Sequence, residues 1–261
     1  MEFTTTDGVR LHYTDQGCGP VVVLLAGIGS FSVVWQPTID FLLQQNYRVL
    51  TLDARNQGLS EHTAQGLRIS RHAMDVAELL AFLDIANFIG IGHSMGAATW
   101  WAYASLFGTR QMQALIDIDQ SPKMINDARW PYGFKNLTQN NFFTLLQAPF
   151  GRATVQNLPD SVYYQNRALQ ASHPYDPELN YPFLLDHALQ DWRDVIIHLQ
   201  CPFLVVNGGQ SPFFAPRFGP VVAALAPKGH HCMIEHSGHL PMTECPQAFQ
   251  RQLQQFLRQL K

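Results

Sequence analysis

The sequence predicts an α/β protein: a mostly parallel, twisted sheet with helices on both faces, plus a helical insertion. Three observations predict it. Apolar runs of strand length alternate with amphipathic stretches of helix length up to residue 121, and again after residue 200. One of those runs, residues 21–26 (VVVLLA), is apolar throughout, as suits a strand buried on both faces. Between the two alternating regions lies a stretch rich in Asn, Gln, Pro and aromatic residues, with no clear buried strand.

Taken in order, residues 10–14 and 21–26 read as strands. Trp35, Ile39 and Leu42/Leu43 recur at i, i+4 and i+7/i+8, which predicts a helix over 35–45. Residues 47–52 form the next strand, 74–83 a helix, 88–92 a strand, 97–107 a helix and 112–119 a strand. This βαβ rhythm is that of a parallel sheet covered on both sides. It stops after Pro122. Aromatic residues such as Trp130, Phe134, Phe150 and Tyr181 crowd the stretch 123–190 and predict a small helical subdomain whose side chains also line a substrate cleft. The expected division is therefore a core of 1–121 and 195–261 with a cap of 122–194. The rhythm resumes with a strand over 203–207, a helix containing 221–226 and a short strand over 231–235. Pro246 opens a final helix at its first turn, where its missing N–H costs nothing. Phe249, Leu253, Phe256, Leu257 and Leu260 stripe one face of it.

Composition narrows the function classes. A chain of 261 residues, 46% of them hydrophobic, suits one α/β domain with an insertion. Lys and Arg number 17 against 20 Asp and Glu, and no basic run of five occurs, so nucleic acid is not an expected partner. No apolar run approaches the roughly 20 residues of a membrane span. The opening MEFTTTDGVRLHY lacks the basic start and apolar core of a signal peptide, and a cytoplasmic protein is expected. Four cysteines without CxxC spacing read as separate reduced thiols. Eleven histidines without HExxH or Cys/His ligand spacing imply no metal, and no other cofactor is called for. An assembly of like chains is compatible with all of this.

The chemistry concentrates at Gly92-His93-Ser94-Met95-Gly96, between a predicted strand and a predicted helix. G-x-S-x-G in that setting is a nucleophile elbow. The turn holds the serine in an unfavourable backbone conformation, and the small flanking residues let the chain bend without a Cβ clash. In return the Ser94 hydroxyl stands exposed at a helix N-terminus, where backbone N–H groups can hold a developing oxyanion.

At this motif the chain resembles the α/β-hydrolase superfamily, and the resemblance covers nearly its full length. LLAGIGS (24–30) stands where that family carries a strand and its oxyanion loop, and DARNQGLS (53–60) where it carries Asp-x-Arg-Gly-x-Gly-x-Ser. SGHLPMTECP (237–246) is similar to its catalytic-histidine loop. Within the family the chain is similar to small cofactor-free esterases and non-haem haloperoxidases. Ala26 replaces the usual histidine before Gly27, and Asn56 replaces a usual glycine; Asn tolerates positive φ if that position demands it. By position, the resemblance implies the backbone N–H groups of Ile28 and Met95 as oxyanion donors.

The same resemblance implies His239 as general base, a role suited to an imidazole titrating near neutrality. His230, His231 and His236 lie before or within the last strand and fit less well, and His93 is expected to line the pocket or the turn. The acid that orients the histidine is harder to find. In most of the family it follows the strand that here reads FLVVN, but this chain continues GGQSPFF, with Gly209, Gln210 and Ser211 in that place. Between Asp194 and His239 the one carboxylate is Glu235, four residues before the histidine. A minority of the family takes the acid from the end of the preceding strand, which here ends at Asp119. Chemistry at the carboxyl ends of parallel strands suits that address. Asp117 shares the strand face two residues deeper. Asp117, a Ser–His dyad, a water or Ser211 remain alternatives to Asp119.

Ser94, His239 and two oxyanion N–H groups are the parts of an acyl-transfer enzyme. Hydrolysis of a small or medium carboxylic ester is the expected reaction, with a small-molecule ester as the partner. The same triad also serves thioesterases, lactonases, carbon–carbon bond hydrolases and peracid formation. A hydrolase-fold sensor with little turnover is the alternative of a different class. Haloalkane dehalogenases and epoxide hydrolases attack with Asp where this chain has Ser94.

Overall fold

The computed structural model describes residues 1–260. Its strands are Glu2–Thr4 (β1), Arg10–Gln16 (β2), Val21–Leu25 (β3), Arg48–Leu52 (β4), Phe88–His93 (β5), Met112–Ile118 (β6), Phe203–Gly208 (β7) and Gly229–Ile234 (β8). They form one sheet in the order β1-β2-β4-β3-β5-β6-β7-β8. β1 and β2 are antiparallel to their neighbours, and the pairs from β4 to β8 are parallel. The α/β class predicted from the sequence is the class observed. β1 escaped notice because it has three residues and buries only Phe3.

The helices before β7 are Gln36–Gln44 (α1), Ile69–Phe82 (α2), Met95–Phe107 (α3), Phe142–Gln147 (α4), Asp160–Ser172 (α5), Pro177–Leu189 (α6) and Arg193–Ile196 (α7). Phe218–Leu225 (α8), Pro241–Glu244 (α9) and Pro246–Arg258 (α10) follow. Strand alternation feeds two separate cores. Val23 and Leu25 of β3 pack with Val76, Leu79, Trp100 and Phe218 from α2, α3 and α8. Val22 and Leu24 pack with Ile39, Leu42, Phe249 and Leu253 from α1 and α10 on the other face. α2 begins five residues before its predicted start, because Ile69, His72 and Ala73 already lie on its buried face behind a polar-looking sequence. β8 ends at Ile234, so His236 follows that strand instead of preceding or lying within it, and it is exposed.

Two features position the site. The chain passes from β3 to β4 on one side of the sheet and then to β5 on the other, so a crevice opens beyond the carboxyl ends of β3 and β5. α4 to α7 all fall between β6 and β7 in the chain.

The 53–60 turn, beside this crevice, is braced from below. Arg55 has no exposed side-chain surface, and its Nε and Nη2 donate to the two oxygens of Asp75 at 2.8 and 2.7 Å. Its Nη1 donates to Asp7 and to the Gln65 carbonyl at 3.1 and 3.0 Å. Asn56 has φ of 64°, so the glycine-like position is occupied by a residue that tolerates it. Removing one partner of a buried ion pair strips the other of countercharge, and without Arg55 the buried Asp75 would keep only Arg71 among the described residues, at 2.9 Å. Arg55→Leu is therefore expected to lower unfolding stability by about 3 kcal/mol, read as a reduced urea midpoint at unchanged slope.

Candidate active site

Ser94 is the residue between β5 and α3, with φ of 52° and ψ of −122°. Such a backbone is strained for any residue with a Cβ and persists only where its surroundings fix it. They do so by close approach. A Cβ on Gly96 would lie 2.2 Å from the Leu25 carbonyl oxygen, and one on Gly92 would lie 2.4 Å from the Ala97 nitrogen. The Ser94 N–H donates to the Ile118 carbonyl at 2.9 Å, and the Ser94 carbonyl accepts from Ala97 N–H at 2.9 Å. The glycines are thus required by space, with backbone packed against both.

Asp119 directly follows β6, at φ of 51°. That turn brings its carboxylate under the β7 loop. Oδ2 accepts from Ser211 Oγ at 2.6 Å, and Oδ1 accepts from Gly208 N–H at 3.0 Å. Oδ2 also lies 2.6 Å from His239 Nδ1. Both side chains are buried, Asp119 completely. Burial opposes charge on each, raising the Asp119 carboxyl and lowering the His239 imidazole; Ser211 and Gly208 work against the first shift by donating into the carboxylate. Asp117 is equally buried, but neither carboxyl oxygen has a hydrogen-bond partner among the described residues. Burial, with Asp119 nearby, holds its carboxyl well above the ordinary carboxylate range. Glu235 is exposed.

The His239 loop is clamped by Glu244, a residue of the SGHLPMTECP stretch to which sequence reasoning gave no role. Glu244 of α9 accepts from the N–H groups on either side of His239, Gly238 and Leu240, both at 3.0 Å. It also accepts from Val155 and Gln156 N–H at 2.7 and 2.9 Å, while His239 N–H donates to the Ala153 carbonyl at 2.9 Å. One carboxylate therefore ties the histidine loop to the segment between β6 and β7. Its place downstream of the histidine, in the stretch that resembles the family's histidine loop, was the available signal. On the other side, His93 Nε2 lies 2.9 Å from the His239 carbonyl, with the two rings 4.5 Å apart.

Ser94 and His239 share a cavity of about 210 Å³, with Ile28, Gln120, Phe134 and Phe213 among its walls. Ser94 Oγ donates to Gln120 Oε1 at 3.4 Å. Phe213 packs edge-on against the His239 ring at 4.6 Å. Gly27 lies so close behind Ser94 that an added Cβ would stand 3.1 Å from the serine Cβ. The backbone N–H of Ile28, and that of Met95 at the first position of α3, have no acceptor among the described residues. Eight of the wall residues, among them Met124, Phe134, Phe150, Leu184 and His187, come from the segment between β6 and β7.

A family model described as the alpha/beta hydrolase fold matches residues 20–245. The chain belongs to that family. A relative named pimeloyl-[acyl-carrier protein] methyl ester esterase, from Vibrio vulnificus, is 24% identical over 271 residues, covering 94% of this chain and 97% of its own. A non-heme haloperoxidase of Rhodococcus erythropolis is 28% identical over 122 residues, 47% of this chain and 44% of the relative. Among solved structures, an esterase from Exiguobacterium antarcticum superposes with a TM-score of 0.87 at 20% identity, over 98% of each chain. A bromoperoxidase from Bacillus anthracis gives 0.84 at 20% identity over 96% of each. At that identity the structural likeness speaks for the fold. No helix among the described residues is long and apolar enough to cross a membrane.

Within this hydrolase fold, Glu244→Gln exchanges an acceptor of four backbone N–H groups for an amide that repels some of them. Hydrogen bonds to a charged group contribute about 1.5–3 kcal/mol. The substitution is expected to destabilise the protein by about 3 kcal/mol, measured by chemical denaturation, and to expose the 236–240 loop to faster amide exchange.

Proposed function

We propose that this chain is a serine hydrolase acting on small to medium carboxylic esters. The observation that carries the reading is the 2.6 Å contact between Asp119 Oδ2 and His239 Nδ1, beside a strained Ser94 in one shared cavity. The esterase names among its relatives agree with it.

In this reading the Ser94 hydroxyl swings from Gln120 toward His239 Nε2, which accepts its proton as Oγ attacks the ester carbonyl carbon. Catalytic hydrogen bonds in unliganded enzymes are often long, and tighten when substrate arrives. The tetrahedral oxyanion is held by the N–H groups of Ile28 and Met95, which have no protein acceptor to give up. Collapse of the intermediate breaks the carbon–oxygen bond, and the departing alcohol takes the proton back from His239. Water then attacks the acyl-enzyme and yields a proton to His239, which passes it to Ser94 Oγ as the acyl carbon–oxygen bond breaks and the acid product leaves. Asp119 fixes the tautomer and stabilises the imidazolium in both halves. Residues 122–194 serve as a cap, contributing the apolar wall formed by Met124, Phe134, Phe150 and Leu184. The natural setting is cytoplasmic, and no metal or other cofactor enters the reaction.

Hydrolysis of p-nitrophenyl esters of increasing acyl length tests the proposal. Ser94→Ala is expected to abolish turnover, and Asp119→Asn to lower kcat/KM by about 10³–10⁴ while remaining folded. Exposed Glu235→Gln is expected to stay within about twofold of wild type. An active Asp119→Asn enzyme would sink the relocated acid, and an inactive wild type would sink the esterase reading.

The pH profile gives a second test. His239 must be unprotonated to accept the Ser94 proton, so kcat/KM falls as pH drops through its pKa. Burial lowers that pKa, so the acid limb is expected to be centred below the ordinary histidine value of 6.5, with activity retained at about pH 6. A midpoint above 7 contradicts this.

A further inference from the structure

His187 is the polar side chain in the cavity that the proposed chemistry leaves unused. It lies on α6, one turn beyond Leu184, and both residues line the cavity that holds Ser94 and His239. It is 95% buried (5% exposed), and its Nδ1 has no hydrogen-bond partner among the described residues. Its ring lies parallel to that of Phe183, at 9° and 6.4 Å between centroids, and Phe183 in turn stacks on His72. The imidazole is thus held in a fixed plane by apolar packing, with no protein group to bond.

The other polar side chains of the cavity are accounted for. Gln120 accepts from Ser94 and donates to the Ser121 carbonyl at 2.8 Å. His93 Nδ1 also has no partner among the described residues, but its Nε2 is engaged by the His239 carbonyl at 2.9 Å, and a Cβ added to Gly27 would lie 3.0 Å from Nδ1, so little room is left for a ligand there. Ser30 is only half-buried, so water can satisfy its hydroxyl. Buried polar groups are nearly always paired, and His187 lines a binding cavity with Nδ1 unpaired among the described residues; a side chain so placed finds its partner in the ligand. The cavity wall carries no Lys, Arg, Asp or Glu among the described residues. A carboxylate or phosphate on the enclosed part of the substrate would therefore find no countercharge. Burial holds the His187 imidazole down at about 4, so it stays neutral and offers one donor and one acceptor.

We propose that His187 is a specificity-determining residue that hydrogen-bonds a second, uncharged oxygen function of the substrate, a hydroxyl or a ketone, held inside the cavity beyond the scissile ester. The proposal rests on the ester-hydrolase reading of Ser94 and His239. It narrows that reading to oxygenated, uncharged acyl esters in preference to plain alkanoates. A site built around a hydrogen bond to such a group discriminates strongly against the analogue that lacks it, because its own polar group is then left buried and unpaired.

The test compares methyl hexanoate with its 3-hydroxy, 5-hydroxy and 5-oxo derivatives. At least one oxygenated ester is expected to exceed the plain ester in kcat/KM with the wild-type enzyme. That ratio should fall about tenfold in His187→Phe, which keeps a ring to stack on Phe183 but loses both nitrogens, and should recover in His187→Gln, which keeps a donor and an acceptor. A wild type that prefers the plain ester, or a ratio unmoved in His187→Phe, overturns the assignment. The same esters are also compared as ligands of Ser94→Ala and of Ser94→Ala/His187→Phe by calorimetry, which requires no turnover. Absence of wild-type hydrolysis with a His187-dependent binding preference overturns the esterase reading and leaves the recognition role standing. Hydrolysis without such a preference does the reverse.

Discussion

The hydrogen bond between Asp119 Oδ2 and His239 Nδ1 joins groups 120 residues apart in the chain, and the arrangement of the site depends on it. A wholly buried carboxylate is costly to ionise unless donors surround it. Asp119 has them: Gly208 N–H, Ser211 Oγ and the imidazole itself. Asp117 shows what happens without them. It is equally buried two residues earlier, but its oxygens have no partner among the described residues and its carboxyl is held far up toward the neutral acid. Burial raises both carboxyls, but only at Asp119 do a hydroxyl and a backbone N–H oppose the shift by donating into the group.

The sheet and the inserted segment fix the site from opposite sides. β3 and β5 bring the Gly27–Ile28 loop and Ser94 together where the strand order reverses, and contacts of Gly92 and Gly96 with neighbouring backbone hold the strained serine in place. His239 has less sheet behind it, since β8 ends at Ile234. Its position depends instead on Glu244, whose carboxylate collects N–H groups from both the histidine loop and residues 155–156. A change in the insertion thus reaches the imidazole through backbone hydrogen bonds as well as through the cavity wall.

The sheet was legible because its signal is local: each buried parallel strand is a short apolar run, and the elbow motif falls between a strand and a helix. Ser94, His239 and Asp119 could be named as candidates from motif, position and an empty acid site, and the fold brings Asp119 Oδ2 to His239 Nδ1. What stayed hidden depends on long-range geometry. β1 has one buried residue, and α2 opens with polar residues on a face whose burial is set by the rest of the fold. Glu244 could be noticed, but its four backbone donors come from segments more than 80 residues apart. His187 sits in a helix with Pro182 inside it and little one-sided apolar pattern, so nothing local separates it from a surface histidine.

In the proposed triad the place of the acid follows from the spacing of parallel strands. β6 and β7 are neighbours, and adjacent strands lie about 4.8 Å apart, so a carboxylate at the end of either can reach the same imidazole. What must change with the move is the lining around it. An acid after β7 would need donors from β6; with the acid after β6, the β7 loop has to supply them. Its Gly208 N–H and Ser211 hydroxyl do so, and Ser211 Oγ is itself held by N–H groups of Phe213 and Phe214 at 3.3 and 3.4 Å. Those two phenylalanines also wall the cavity, with Phe213 edge-on to His239. The GGQSPFF segment therefore exchanges an acceptor for donors and an apolar wall. The positive φ at Asp119 directs the strand end toward that loop, a conformation aspartate tolerates better than most residues. In the proposed triad the GGQSPFF segment and Asp119 form one interaction, and neither is explained without the other.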